Sequence, residues 1–354
     1  MGGGQSAVKT DGTSAGITPL KDARVLVTGG GGFLGKAIVK RLLGYTPNIR
    51  SMSRKLHPEL DVLRVEQIQG DISDPVAVER ACQERDLVFH VAAKTGGMWG
   101  PYQGYHETNV VGTHHIVEAC ERQEIGYLIH TSSPSVVYDG DADVMGVDES
   151  APYPGRYQTS YQKTKAKAEQ LVVQACERDV VRAIILRPHL IWGPGDTQFV
   201  PRIIKQAKTL RRVGDGKNRI DTTYIDNAAQ AHILAAEKLM TNPQLSGRIY
   251  FISQGEPVYL WDMVNHLLAA AGQPPVRKSI PKGLAYAIGW VLECVYKSLG
   301  IASEPRMTRF LANELSKSHW FDIGAAKRDL GYVPEVSLTE GLKKLKDWME
   351  HGIE

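Results

Sequence analysis

The sequence predicts an α/β fold: a doubly wound parallel sheet with a smaller C-terminal substrate lobe. Three observations lead there. From Ala23 to about residue 190, short apolar runs alternate with helical patterns, the order that builds a parallel sheet with helices on both faces. A run of glycines at residues 29–35 falls between the first strand and the first helix. The composition is that of a globular chain, with 354 residues, 42% hydrophobic and 23% charged.

Residues 24–28 read as the first strand and 33–43 as the first helix. Strands follow at 48–53 and 64–69, then a helix at 75–82, a strand at 86–91 and a long helix at 105–122. Residues 126–131 form the next strand, 156–178 a helix and 180–186 a strand. Beyond 190 the pattern loosens. Helices expected at 199–210, 227–240, 260–271 and 338–350 mix with short strands and Pro-containing loops. The expected organisation is a disordered Gly/Ser/Thr-rich tail at 1–20, a nucleotide-binding domain at 21–190, and a substrate lobe at 191–354 with segments returning to the sheet.

The 42 basic and 39 acidic residues give a net charge of +3 without long like-charge runs, so no nucleic-acid partner is expected. Cys82, Cys120, Cys176 and Cys294 form no CxxC pair and no zinc spacing. A reduced, cytoplasmic chain without a structural metal is the expectation. No secretory pattern follows Met1. Gly2 and Ser6 fit a loose myristoylation pattern, which a flexible tail explains better.

The 35 glycines are about a tenth of the chain, against a usual ~7%. Residues 28–35 read Thr-Gly-Gly-Gly-Gly-Phe-Leu-Gly, with Gly29, Gly32 and Gly35 spaced GxxGxxG and Phe33 and Leu34 opening the helix. Glycine turns the chain sharply, lets a pyrophosphate approach the backbone, and leaves helix N–H groups free for the anion. At the end of the second strand an acidic residue would hold a ribose 2′-hydroxyl. Ser53, Arg54 and Lys55 stand there instead, a set suited to a 2′-phosphate. NADP(H) is therefore preferred, with NAD(H) as the alternative. Asp71 and Ile72 are placed to face the adenine, and Ala92, Ala93 and Lys94 to let the cofactor lie close to the fourth strand.

Tyr161 and Lys165 share a helix face. Ser132 and Ser133 end the strand beside the same crevice. A phenol with a pKa near 10 needs a neighbouring ammonium to work as an acid/base near neutrality, and a serine hydroxyl can hold a carbonyl oxygen. Together with the glycine loop, these residues suit hydride transfer to a carbonyl.

These motifs resemble the extended short-chain dehydrogenase/reductase superfamily. The match rests on the loop at 28–35, Asp71, His90-Val91-Ala92-Ala93, Asn109, Thr131-Ser132-Ser133, Tyr161 with Lys165, and Arg187-Pro188, and covers roughly residues 22–350. The resemblance implies a Rossmann fold, Tyr161 as acid/base, Lys165 as the residue that lowers its pKa and binds the nicotinamide ribose, and Ser133 as the hydroxyl that orients the carbonyl. It also implies cofactor contacts at Asn109 and Pro188, and a homodimer through the helices at 105–122 and 156–178. Pro134 and Ser135 stand where sugar-nucleotide dehydratases carry an acidic pair. The stretch at 187–196 resembles the 3β-hydroxysteroid and sterol-4-carboxylate dehydrogenase branch. Residues 96–100, 133–140 and 251–257 look more like bacterial 2-alkyl-3-oxoalkanoate reductases of olefin biosynthesis. The implied substrate is a long-chain 2-alkyl-3-oxoalkanoic acid, with a sterol acid as the alternative and an NAD-dependent sugar epimerase less favoured.

Met98, Trp99, Tyr138, Trp192 and Phe199 are the expected apolar pocket, and Arg202 or Arg219 the expected carboxylate partner. The apolar run at 283–292 is too short to span a bilayer, which takes ~20 residues. It reads either as a buried helix or as one touching a membrane or guarding a lipid pocket, where partner enzymes of a lipid pathway would also meet the chain.

Overall fold

The computed structural model describes residues 19–95, 99–301 and 303–352. The tail at 1–18, including the myristoylation pattern, and Met98 lie outside the described residues. The first strand, β1 (Val25–Thr28), leads through the glycine turn into α1 (Phe33–Leu42). Then follow β2 (Ile49–Ser53), α2 (Pro58–Val62), β3 (Glu66–Gln69), α3 (Pro75–Cys82) and β4 (Leu87–His90). The long helix expected next is three joined pieces: α4 (Tyr102–His106), a π turn (Glu107–Val111) and α5 (Gly112–Arg122). After β5 (Tyr127–Thr131) and β6 (Val144–Val147), α6 (Ser160–Glu177) begins four residues later than its periodicity suggested. Its start is set by a capping box. Thr159 Oγ1 accepts from the Gln162 amide, and Gln162 Oε1 accepts from the Thr159 amide. β7 (Arg182–Pro188) carries the chain back to the sheet.

The remaining chain is β8 (Ile191–Trp192), α7 (Phe199–Gln206), β9 (Arg212–Val213), β10 (Arg219–Ile220), β11 (Thr223–Tyr224) and α8 (Ile225–Thr241). It continues with β12 (Ile249–Ile252), β13 (Val258–Tyr259), α9 (Leu260–Ala270), β14 (Ser279–Ile280), α10 (Lys282–Ser298), α11 (Arg309–Glu314), β15 (His319–Phe321) and α12 (Leu338–His351). Seven strands pair in parallel in the order β12-β7-β5-β4-β1-β2-β3. The order reverses at β1, so a crevice opens beside its carboxyl end. The segments after residue 190 rejoin this sheet through β12 and, with β6 from the first half, build the small sheet β13-β10-β15-β6.

Strand alternation divides the core. Val25, Val27, Phe89 and Ile129 face one layer, with Ile38 of α1 and Ala228 of α8. Leu26, Val88, Leu128 and Ile185 face the other, with Val78 of α3, Ile116 of α5 and Val172 of α6. Both faces of β1 are buried, as central parallel strands require. Among the described residues no helix is long and apolar enough to cross a membrane.

One ion pair ties the two halves of this frame. Glu169 of α6 and Arg187 of β7 are both fully buried and bonded twice, at 2.5 and 3.0 Å. Tyr153 donates to the same carboxylate at 2.7 Å, and the guanidinium lies over the Phe251 ring. Removing one partner strands a charge in the interior. Glu169→Ala should therefore lower unfolding stability by about 3–5 kcal/mol, measured by denaturant titration. A loss within the error of the titration would show the pair to be dispensable.

Candidate active site

A cleft of about 2160 Å³ runs along the carboxyl ends of the parallel strands. That exceeds the ~300–1,000 Å³ of a site for one drug-sized ligand, and leaves room for a dinucleotide and a second molecule. The strand order sets its layout. Asp71 follows β3, Ser53 ends β2, Gly29 follows β1, Ala92 follows β4, Ser133 follows β5 and Pro188 ends β7.

The glycine turn is a cradle that side chains would fill. Gly29 has φ +69°, and a Cβ there would sit 3.0 Å from the Ala92 backbone. A Cβ on Gly35 would collide with the Gly29 carbonyl, so this glycine lets the helix seat on the turn. Gly32 caps α1 without a side-chain hydrogen bond, and the first turn carries no acidic residue. The helix N-terminus is left open to an anion. Phe33 and Leu34 line the cleft at this point, and Ser53 Oγ accepts from the Gly31 amide at 3.3 Å. Arg54, Lys55 and His57 line the same stretch. His57, which the motifs did not single out, occupies the space a Gly31 side chain would need. No carboxylate stands at the end of β2, and this donor set fits a dinucleotide carrying an extra phosphate.

Asp71 and Ile72 line the next part of the wall. The Asp71 carboxylate accepts from the Ser73 amide and hydroxyl at 2.9 and 2.8 Å, which fixes the turn. Ala92, Ala93 and Lys94 line it beside β4. Asn109 does not reach the cleft. Its amide is consumed holding both backbone groups of Lys94, at 2.7 and 3.2 Å, and Thr164 Oγ1 at 3.1 Å. It positions the cleft wall through Lys94, in place of the direct contact expected of it.

Ser133, Tyr161, Lys165 and Pro188 all line the cleft beside the ends of β5 and β7. Ser133 Oγ lies 2.9 Å from Ser135 Oγ, and Ser133 is near enough to the Tyr161 phenol to favour its charged form. Burial raises the Tyr161 phenol above its usual 10, and Ser133 opposes this. Lys165 donates to the Thr131 carbonyl at 2.7 Å. Burial pushes its ammonium down to about 8, against the pull of Glu169 one turn on.

The expected substrate residues separate. Tyr138, Phe199 and Arg202 line the cleft. Trp192 does not: it is fully buried, donates to Thr222 Oγ1 at 3.1 Å and packs edge-on against Tyr224. Trp99 also turns away, its ring against Tyr296 of α10 and beneath Lys297. Arg202 pairs with Glu304 at 3.2 Å. Arg219 lies outside the cleft, bonded to the Pro257 carbonyl and set over Tyr259. In their place the fold brings His189, Glu314 and His319 to the cleft. His189 was legible as the neighbour of Pro188. Glu314 and His319 carried no motif.

The family model for the 3-beta hydroxysteroid dehydrogenase/isomerase family matches residues 26–281. The 2-alkyl-3-oxoalkanoate reductase of Stenotrophomonas maltophilia is 47% identical over 91% of this chain and 98% of its own length. The decarboxylating sterol-4-alpha-carboxylate 3-dehydrogenase of Candida albicans is 32% identical over 93% of this chain and 98% of its own. Among solved structures, the NAD complex of UDP-glucuronic acid 4-epimerase from Bacillus cereus superposes with a TM-score of 0.71 at 24% identity, covering 93% of this chain and 99% of that one. That likeness speaks to the fold. With a matched model over most of the chain and a full-length relative near half identity, the chain belongs to the 3-beta hydroxysteroid dehydrogenase/isomerase family of extended short-chain dehydrogenase/reductases, and is a nicotinamide-dependent oxidoreductase acting on a CH–OH group.

Proposed function

We propose that the chain reduces the 3-oxo group of a long-chain 2-alkyl-3-oxoalkanoic acid to the 3-hydroxy acid, with NADP(H) as cofactor. The observation that carries this reading is that Ser133, Tyr161 and Lys165 line one cleft with room for a dinucleotide and a second molecule. The reductase from S. maltophilia, at 47% identity, supports the substrate class. A nicotinamide dinucleotide, when bound, supplies the hydride. Tyr161 donates its phenolic proton to the carbonyl oxygen, and the Ser133 hydroxyl holds that oxygen as charge develops. Lys165 is fixed on the Thr131 carbonyl, one turn along the same helix from Tyr161. Hydride at carbon and proton at oxygen together make the alcohol. Ser53, Arg54 and Lys55 hold the 2′-phosphate.

A sterol acid oxidised at its 3-hydroxyl is the second reading. It is also a β-hydroxy acid, met in the opposite direction, and the 32% identical C. albicans dehydrogenase favours it.

The apolar run expected at 283–292 lies within α10. Ile288 and Leu292 line the cleft, while Leu284, Trp290, Val291 and Val295 face outward, more than a third exposed. One helix thus joins the substrate cavity to an apolar exterior, with Lys282 at its start and Lys297 near its end. We take a lipid surface as its partner.

Tyr161→Phe should cut turnover by roughly 10²-fold or more, followed as loss of NADPH absorbance, while dinucleotide binding persists. In the oxidation direction the phenol must first lose its proton. Because burial raises its pKa, the oxidation rate should climb toward high pH. Arg54→Ala should weaken NADPH roughly tenfold and NADH little; equal losses in a fluorescence titration would remove the 2′-phosphate assignment. Trp290→Glu with Val291→Glu should lower co-sedimentation with phosphatidylglycerol vesicles several-fold; undiminished pelleting would discard the lipid contact.

A further inference from the structure

Beyond the Ser-Tyr-Lys centre, the cleft contains a polar corner that carbonyl reduction does not use. Asp221 is fully buried. One carboxylate oxygen bonds His189 Nδ1, and the other accepts from the Phe321 amide at 3.1 Å. His189 Nε2 lies 3.2 Å from His319 Nδ1, and His319 Nε2 lies 3.2 Å from the Glu314 backbone carbonyl. Burial drives His319 down to about 3, so His319 is a neutral ring within this row.

The row ends on Glu314. Its side-chain Oε2 is 3.8 Å from His319 Nε2. The Tyr138 hydroxyl lies beside the carboxyl and favours its charged form, but off hydrogen-bonding geometry. Among the described residues, Glu314 Oε1 and Tyr138 Oη are therefore buried polar atoms without a partner, and both residues line the cleft. Lys317 does not serve them, since its ammonium is bonded to the Gly140 carbonyl. An unmade buried hydrogen bond costs about 1–3 kcal/mol, so two at one place mark a site for a polar ligand group. The corner is close to the reacting centre along the chain, because Tyr138 follows Ser133 by a single 3₁₀ turn, Pro134–Val137.

We propose that Tyr138 and Glu314 are the carboxylate subsite: their two unpartnered oxygens hold the acid group of the 3-oxo or 3-hydroxy acid through O–H bonds, with His189 and His319 behind them. The proposal rests on the substrate class given above. It replaces the two arginines expected for this role, one paired with Glu304 and the other outside the cleft. A carboxylic acid meeting a carboxylate shares one proton in a short, charge-assisted bond. Tyr138 adds specificity at the same oxygen pair.

The subsite carries its own pH dependence. Burial raises Glu314 to about 7. The groups facing it are His189 from the end of β7, His319 on β15, Lys317 between α11 and β15, and Tyr138 after β5. Of these, His189, Lys317 and Tyr138 pull its pKa down. Below pH 7 the carboxyl is protonated and donates. Above it, two like charges would face each other.

The test uses the full chain with NADP⁺, oxidising a 2-alkyl-3-hydroxy acid and, separately, its methyl ester, from about pH 6 to 9. KM for the acid should rise by about tenfold per pH unit above about 7, while KM for the ester stays level. Glu314→Gln keeps an N–H donor and should remove the pH dependence of the acid KM. Glu314→Ala should raise KM for the acid roughly tenfold more than for the ester. An acid KM that is flat with pH, or one that the ester follows in parallel, overturns the subsite. That arm needs only the wild-type chain, so a variant that misfolds cannot obscure it. If neither substrate is oxidised, the substrate class itself fails and the subsite with it. If the acid is oxidised with a flat KM, only the subsite fails.

Discussion

The geometry of the reacting centre depends on one buried contact, the Glu169–Arg187 pair. Tyr161, Lys165 and Glu169 are spaced four residues apart on α6 and share a face of that helix. Arg187 is followed on β7 by Pro188 and then by His189. Gripping Glu169 with two bonds therefore sets the depth and rotation of α6 against the sheet. The phenol and ammonium are carried to the strand ends as a consequence. The same carboxylate also favours the charged form of Lys165, so the pair acts on both position and charge.

A second set of polar contacts fixes the opposite wall. The Thr28 hydroxyl accepts from the amides of Val91 and Ala92, each at 3.1 Å, and contacts His90, which in turn contacts Thr113. Asn109 ties Lys94 to Thr164 of α6. These side chains lie where the strand order reverses and hold the Ala92 backbone against Gly29. The absence of a side chain on Gly29 is thus used twice, for the turn and for the approach of the neighbouring strand. The wall after β4 and helix α6 are coupled through Asn109 without that residue lining the cleft.

Charge then sorts the rest of the cleft. Arg54 and Lys55 line it after β2, and Arg202 is balanced by Glu304. The far corner holds Asp221, His189, His319 and Glu314 in a single hydrogen-bonded row. Phe199, Phe310 and Phe321 give the same cleft apolar walls.

The sequence by itself determined the features that depend on neighbours along the chain. The glycine spacing at 29–35, the Tyr161–Lys165 spacing, the Ser133 strand end and the alternation of strands and helices are consequences of backbone periodicity. Each is legible within a few residues. Tertiary structure decided which side chains of the second half face the cleft. Trp192, Arg202 and Arg219 read alike as cleft residues, yet packing buried the first, left the second in the cleft but paired with Glu304, and turned the third away. His189 and His319 are 130 residues apart and meet only because β7 and β15 close on the same corner. No local pattern encodes that meeting. It follows from the long-range packing of the small sheet against the large one, which brings distant polar groups into a shared interior where each must find a partner.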